Sequence, residues 1–302
     1  MSKALPNRPL NPRRIAVLAI NTFTQLVRMK VFYFLAIFAV IVIGANSLDL
    51  PTNSAPENAG VQVLYAIKNT SIGCMGLFSL VLAVVATGLL LPKDVEDRTL
   101  YTILAKPVPR LDYLVGKLVG VTSLIFISMV VMDLLMIGVL HLRTSEVMEM
   151  RSQFADNAGY PPEMKARFLE ETRELGPTWN LQAGVLIVFF RAVVMAAVAL
   201  LLSTFSTSTL FTAVVGFMIL FVGFFQADAR EFYFSGTGIL GRIGSGAMTV
   251  ILPDLQLFNV VDSIIEGKLL EAGMLLKIAG VTLFYCVIYT FTSWIIFARK
   301  EF

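Results

Sequence analysis

Apolar residues in this chain come in long blocks rather than in alternation, and six of the blocks approach the length needed to cross a bilayer. A crossing takes about 20 residues of helix. The blocks are 31–48, 70–92, 116–141, 181–203, 207–227 and 276–298. Apart from Lys117 and Lys277 near their edges, the only charges inside them are Asp133 in the third and Arg191 in the fourth. In lipid the backbone has no water to bond, so each block must be helical. The composition agrees. Charged residues make up 15% of the chain, against roughly 25% for a soluble domain, and the mean hydropathy is +0.78. The expected fold is an all-α integral membrane protein of six transmembrane helices in a single domain spanning 1–302.

The segments between the blocks carry the orientation. Residues 12–30 mix Ile15, Leu18, Phe23, Leu26 and Val27 with Asn21, Gln25, Arg28 and Lys30, and Pro12 is placed to open a helix. That mixture predicts an interfacial helix leading into the first span. Lys and Arg collect before the first span (Lys3, Arg8, Arg13, Arg14, Arg28, Lys30), in 93–115 and the following Lys117, and at Arg299 and Lys300. With six spans these fall on one side, which the positive-inside rule makes cytoplasmic, with both termini inside. The other side offers Lys68 in its first loop and acidic excess in 142–180 and 228–275. Of these, 144–180 reads as an extracytoplasmic helical hairpin. Ser145 would cap its first helix, Pro161 and Pro162 would open the second, and Gly176 would stop it. Residues 253–270 read as an amphipathic piece at the membrane surface.

Several chemistries are excluded or disfavoured. A net charge of +3 gives no electrostatic case for nucleic acid. Cys74 and Cys286 both lie in apolar surroundings and read as small hydrophobes. His141 is the single histidine, and no H-E-x-x-H, C-x-x-C or G-x-S-x-G occurs, so no catalytic residue, metal site or cofactor is expected. Gly236-Thr-Gly238-Ile-Leu-Gly241 matches G-x-G-x-x-G but lies in a loop between spans rather than in a βαβ unit. Arg242 and Ile243 replace the Lys and Ser/Thr of a phosphate-binding loop, so ATP binding by this chain is not expected. Asp133 and Arg191 are charges at depth, which are costly and by default functional or paired. Counted inward from His141 and Asn180 they lie at similar depths, which makes them candidates for an intramembrane ion pair.

The most informative segment is 93–117. It is charged at Glu96, Asp97 and Arg98, apolar at Leu100, Ile103 and Leu104, and stopped by Pro107. A short amphipathic helix between two spans has the form of an element that docks in a groove on a partner, although a solvated connector would carry the same pattern. The segment resembles the cytoplasmic loop of type-2 ABC exporter permeases, which reads Glu, then Thr-Leu or Thr-Val, then Leu-Leu-Ala/Ser-x-Pro-Val-x-Arg, then Leu-Gly-Lys. Glu96, Thr99-Leu100, Leu104-Ala105-Lys106-Pro107-Val108, Arg110 and Gly116-Lys117 carry the likeness. Arg98 departs from it, standing where many members have Gly. It is similar there to the permeases of multi-copper-enzyme maturation. Ser203-Thr-Phe-Ser206-Thr, Leu252-Pro253 and the tail Phe297–Phe302 agree with the same likeness.

The resemblance implies a permease subunit in the plasma or inner membrane. It would work with a separate ABC ATPase subunit and a second permease subunit, identical or related, and export is the family's tendency. Glu96, Asp97, Arg98, Leu100, Leu104 and Pro107 would form the ATPase coupling site. The alternative is a membrane scaffold or assembly factor without transport.

Overall fold

The computed structural model describes residues 10–45, 60–96, 108–206, 208–226 and 252–299. Among these the structure is helical, with no strand. The helices are α1 (Pro12–Val27), α2 (Lys30–Ala45), α3 (Val61–Glu96), α4 (Arg110–Asn157), α5 (Pro162–Glu174), α6 (Trp179–Phe205), α7 (Thr209–Phe224), α8 (Val260–Ile265) and α9 (Ala272–Arg299), with a 3-10 turn at Gln256–Phe258. Four segments are long and apolar enough to cross a membrane: those built on α3, α4, α6 and α9. The architecture is that of an all-helical membrane protein. α2 and α7 have 16 residues each, about 24 Å at 1.5 Å per residue, short of a 30 Å hydrocarbon layer.

α3 is the central helix. Its apolar window is 78% buried, against 22% for α9. α3 packs on α6, α4, α2 and α7, and α6 also carries α9 and α8. α3 and α4 run antiparallel over most of their length. Asp94 of α3 meets Lys117 of α4 at one end, and Gly60, just before α3, meets Val147 at the other. The first is termed the loop end, the second the hairpin end.

At four places the helices differ from the expected segments. The helix that carries the third span does not stop at 141. With no proline between Arg110 and Tyr160, α4 runs 48 residues, about 72 Å. It breaks only at Gly159, whose φ of +67° suits glycine. Ser145 therefore caps nothing; it lies inside α4 and its hydroxyl donates to the His141 carbonyl at 3.1 Å. α5 then folds back, with the position of Gly176 against Thr144.

The second span begins earlier than 70. Lys68 belongs to α3 and is buried, its Nζ 6.0 Å from the centre of the Tyr65 ring, so it is not a loop cation. At its far end α3 passes through Pro92 to Glu96.

Residues 253–265 are amphipathic and pack their apolar face onto the bundle. Leu255, Phe258, Val261, Ile264 and Ile265 are buried. Gln256 donates to the Phe224 carbonyl at 2.8 Å, and Ile264 and Val261 pack over Gly184 of α6.

α1 does not lie free at an interface. Arg14 meets Asp112, Leu18 meets Gly116 and Thr22 meets Gly120, a constant offset over two turns. α1 therefore runs alongside the start of α4, in the same direction. The two glycines permit this. A Cβ at Gly120 would stand 2.6 Å from Thr22 Cβ and 2.7 Å from the Ala19 carbonyl. This is the small-xxx-small device of close helix packing. Val17 and Ile20 remain exposed on the outer face of α1.

Candidate functional site

The loop end collects the chain's densest set of buried polar contacts among the described residues, at the two roots of the 93–117 segment. Asp94 lies in the last turn of α3. Tyr113 and Lys117 lie one turn apart on α4, so they share a face. All three are buried. Lys117 Nζ stands 2.7 Å from Asp94 Oδ2, and the Tyr113 hydroxyl donates to the same oxygen. Lys117 also donates to Gln25 Oε1 of α1 at 3.4 Å, and its ammonium lies 5.6 Å from the Tyr113 ring centre.

Two further contacts extend the cluster. Arg110 donates to the carbonyl of Phe297, near the end of α9, and its guanidinium lies 5.7 Å from that ring. Phe297 in turn stacks on Tyr113, with centroids 5.8 Å apart and planes at 12°. Asp112, buried, has its carboxylate 3.0 Å from Arg14 Nε of α1. Four elements therefore meet here: the end of α3, the start of α4, α1 and the end of α9.

A buried ion pair is weak grounds for net stability, because desolvating two charges offsets most of their attraction. What it secures is geometry. Removing one partner leaves the other charge uncompensated, at about 3–5 kcal/mol. The site is thus a clamp. It fixes both roots of the intervening segment to each other, and to α1 and α9.

Of the residues expected to form the coupling site, Asp97, Arg98, Leu100, Leu104 and Pro107 lie outside the described residues. The backbone of Glu96 closes α3, and its side chain lies outside them too. Residues 236–246, with the G-x-G-x-x-G match, also fall outside. Asp94, Tyr113, Asp112 and Arg14 were not singled out as site residues from the sequence, and Arg110 and Lys117 entered only through the likeness and the positive-inside count. The legible signal was the Tyr113/Lys117 spacing on one helical face, with an acid at the opposite root of the same loop.

Asp133 and Arg191 are not brought together. Asp133 accepts from Gln182 Nε2 at 3.3 Å. Gln182 is nine residues before Arg191 on α6, roughly 13 Å of helix. The guanidinium of Arg191 lies 5.4 Å from the Phe224 ring centre and packs against Gly76, where a Cβ would come within 2.8 Å of it. The Gln182 contact sets Asp133 near the first turn of α6, whereas Arg191 lies more than two turns further along that helix.

No family model matches the chain, and no curated protein matches it.

Proposed function

We propose that this chain is the membrane-spanning permease subunit of an ABC transporter. In this reading it crosses the membrane six times with the loop end in the cytoplasm. ATP hydrolysis resides in a separate ATPase subunit, a second permease subunit completes the pathway, and transport runs outward. The segment 93–115 is the coupling element. The observation that carries the reading is the clamp at its roots. An amphipathic segment likened in sequence to the permease coupling loop is anchored by Asp94, Tyr113 and Lys117, whose contacts reach α1 and α9. A push on such a loop moves four elements together, which is what mechanical coupling requires. A passive connector has no use for a buried charge cluster at its base.

At the hairpin end, a half-open cleft lined by Tyr65, Asn69, Asp262 and Glu266 is where we place the exit side of the substrate path. The coupling reading is tested at Leu104. An aspartate there would put a charge into the partner's groove, which is costly without a counter-charge, whereas a solvated loop would tolerate it within about 0.5 kcal/mol. The Leu104→Asp variant should insert and fold but no longer co-purify with its ATPase subunit, with Glu96→Ala weaker in the same direction. Full ATPase binding and full transport by Leu104→Asp would reduce the segment to a connector.

A further inference from the structure

Trp179 is 92% exposed and Leu269 87%, more than any other large apolar side chain among the described residues. One residue holds them near each other. Asn180, following Trp179, donates from Nδ2 to the Lys268 carbonyl at 2.8 Å and accepts from the Leu270 amide at 2.9 Å. Those two bonds bracket Leu269. The turn that brings it there passes through Gly267 at φ +91°, a conformation that suits glycine.

The level of this pair is fixed from several sides. On α4, exposed apolar positions run from Phe126 to Leu142 and give way to Arg143 and exposed Glu146 and Glu149. The position of Gly176 against Thr144 puts the start of α6 at that same height. On α9 the exposed apolar positions run down to Leu276 and Met274, beside exposed Lys277, with Glu271 just before the helix. The Glu266–Lys268 pair, 3.0 Å apart and exposed, sits on the same turn as Leu269. α4 and α9 thus both change from an apolar to a charged outer surface toward the hairpin end, and Trp179 and Leu269 stand at the change. A boundary shared by two helices from distant parts of the chain marks a lipid edge rather than a local patch for a protein partner. Tryptophan concentrates at that edge because its ring is apolar and its N–H is polar.

We propose that Trp179 and Leu269 form a wedge, set by Asn180, that seats in the lipid interface at the hairpin end of the molecule. The occupant is the glycerol and upper acyl region of the adjacent leaflet.

The test uses the full chain in phosphatidylcholine vesicles. The chain has two tryptophans, so Trp294→Phe leaves Trp179 as the single reporter. Its emission should be blue-shifted, quenched strongly by lipid brominated near the carbonyl and less by lipid brominated deep in the chain. Iodide should quench it weakly. A second variant carries Leu269→Trp with Trp179→Phe and Trp294→Phe and should give the same depth profile. Adding Asn180→Ala to it should shift quenching from shallow bromolipid toward iodide. Strong iodide quenching of both reporters, without bromolipid quenching, would place the wedge in water and overturn the proposal. Shielding from both quenchers would place protein over it, and would overturn it equally.

Discussion

The two ends of the molecule hold their inward-facing cations by different means. At the loop end the counter-charges are carboxylates: Asp94 for Lys117 and Asp112 for Arg14. Toward the hairpin end, aromatic faces and a hydroxyl carry much of the load. Arg151 lies 3.5 Å from the Phe168 ring centre and donates to Thr172 Oγ1. Lys68 sits by Tyr65 and Arg191 by Phe224. Carboxylate pairing in a dry site is strong, directional and intolerant of losing one member. Ring contacts are worth about 0.5–2 kcal/mol and tolerate some sliding. The loop end is therefore built for defined geometry, and the hairpin end for burial with latitude. A segment that transmits displacement needs the first kind of anchor.

The largest expected effect breaks the clamp. Lys117→Met leaves Asp94 buried without its counter-charge and should cost about 3–5 kcal/mol, read as a fall in melting temperature in detergent. Because the pair is shielded from solvent, the difference from wild type should persist in high salt. A loss that shrinks with added salt would mean an exposed pair instead.

Next comes the seam between α1 and α4. Gly120→Ala places a methyl 2.6 Å from Thr22 Cβ and 2.7 Å from a carbonyl oxygen, and overpacking of this kind costs about 1–3 kcal/mol. Protease cleavage within α1 should accelerate in the variant. Unchanged cleavage would show that α1 is not held by that seam.

A smaller effect belongs to the hairpin. Phe168→Leu removes the ring under Arg151 but keeps Thr172 and the apolar bulk, so a loss of about 1 kcal/mol is expected. A loss as large as that of Lys117→Met would erase the contrast between the two ends.

The smallest effect is a coupling energy. Asp133 and Arg191 have separate partners, so Asp133→Asn and Arg191→Gln should be additive within about 0.5 kcal/mol in a double-mutant cycle. Clear non-additivity would restore the ion pair.

What the sequence made legible follows from what each signal measures. Apolar run length located the cores of α3, α4, α6 and α9, because burial in lipid demands it. It misplaced their ends, because α3 and α4 continue as helices where hydropathy falls. Lys68 was assigned to a loop for that reason, and Ser145 to a cap. The amphipathic pattern of 12–30 found α1 but not its neighbour. The glycines that create the seam are about a hundred residues away and carry no mark of their target. Most of the clamp was equally hidden, since Asp94 among Lys93, Glu96 and Asp97 has the appearance of a solvated charge run. Only the fold decides which of those charges turns inward.

The most direct test of the clamp is a charge exchange between its two members. Asp94→Lys and Lys117→Asp, each alone, place two like charges in one buried site. Each should lower the melting temperature and, on the proposed transporter reading, abolish co-purification with the ATPase subunit. Combined, the two substitutions restore opposite charges across the same gap, and most of both properties should return. A double variant no better than the worse single one would contradict the account, since the roots of the segment would then not be held by that pair.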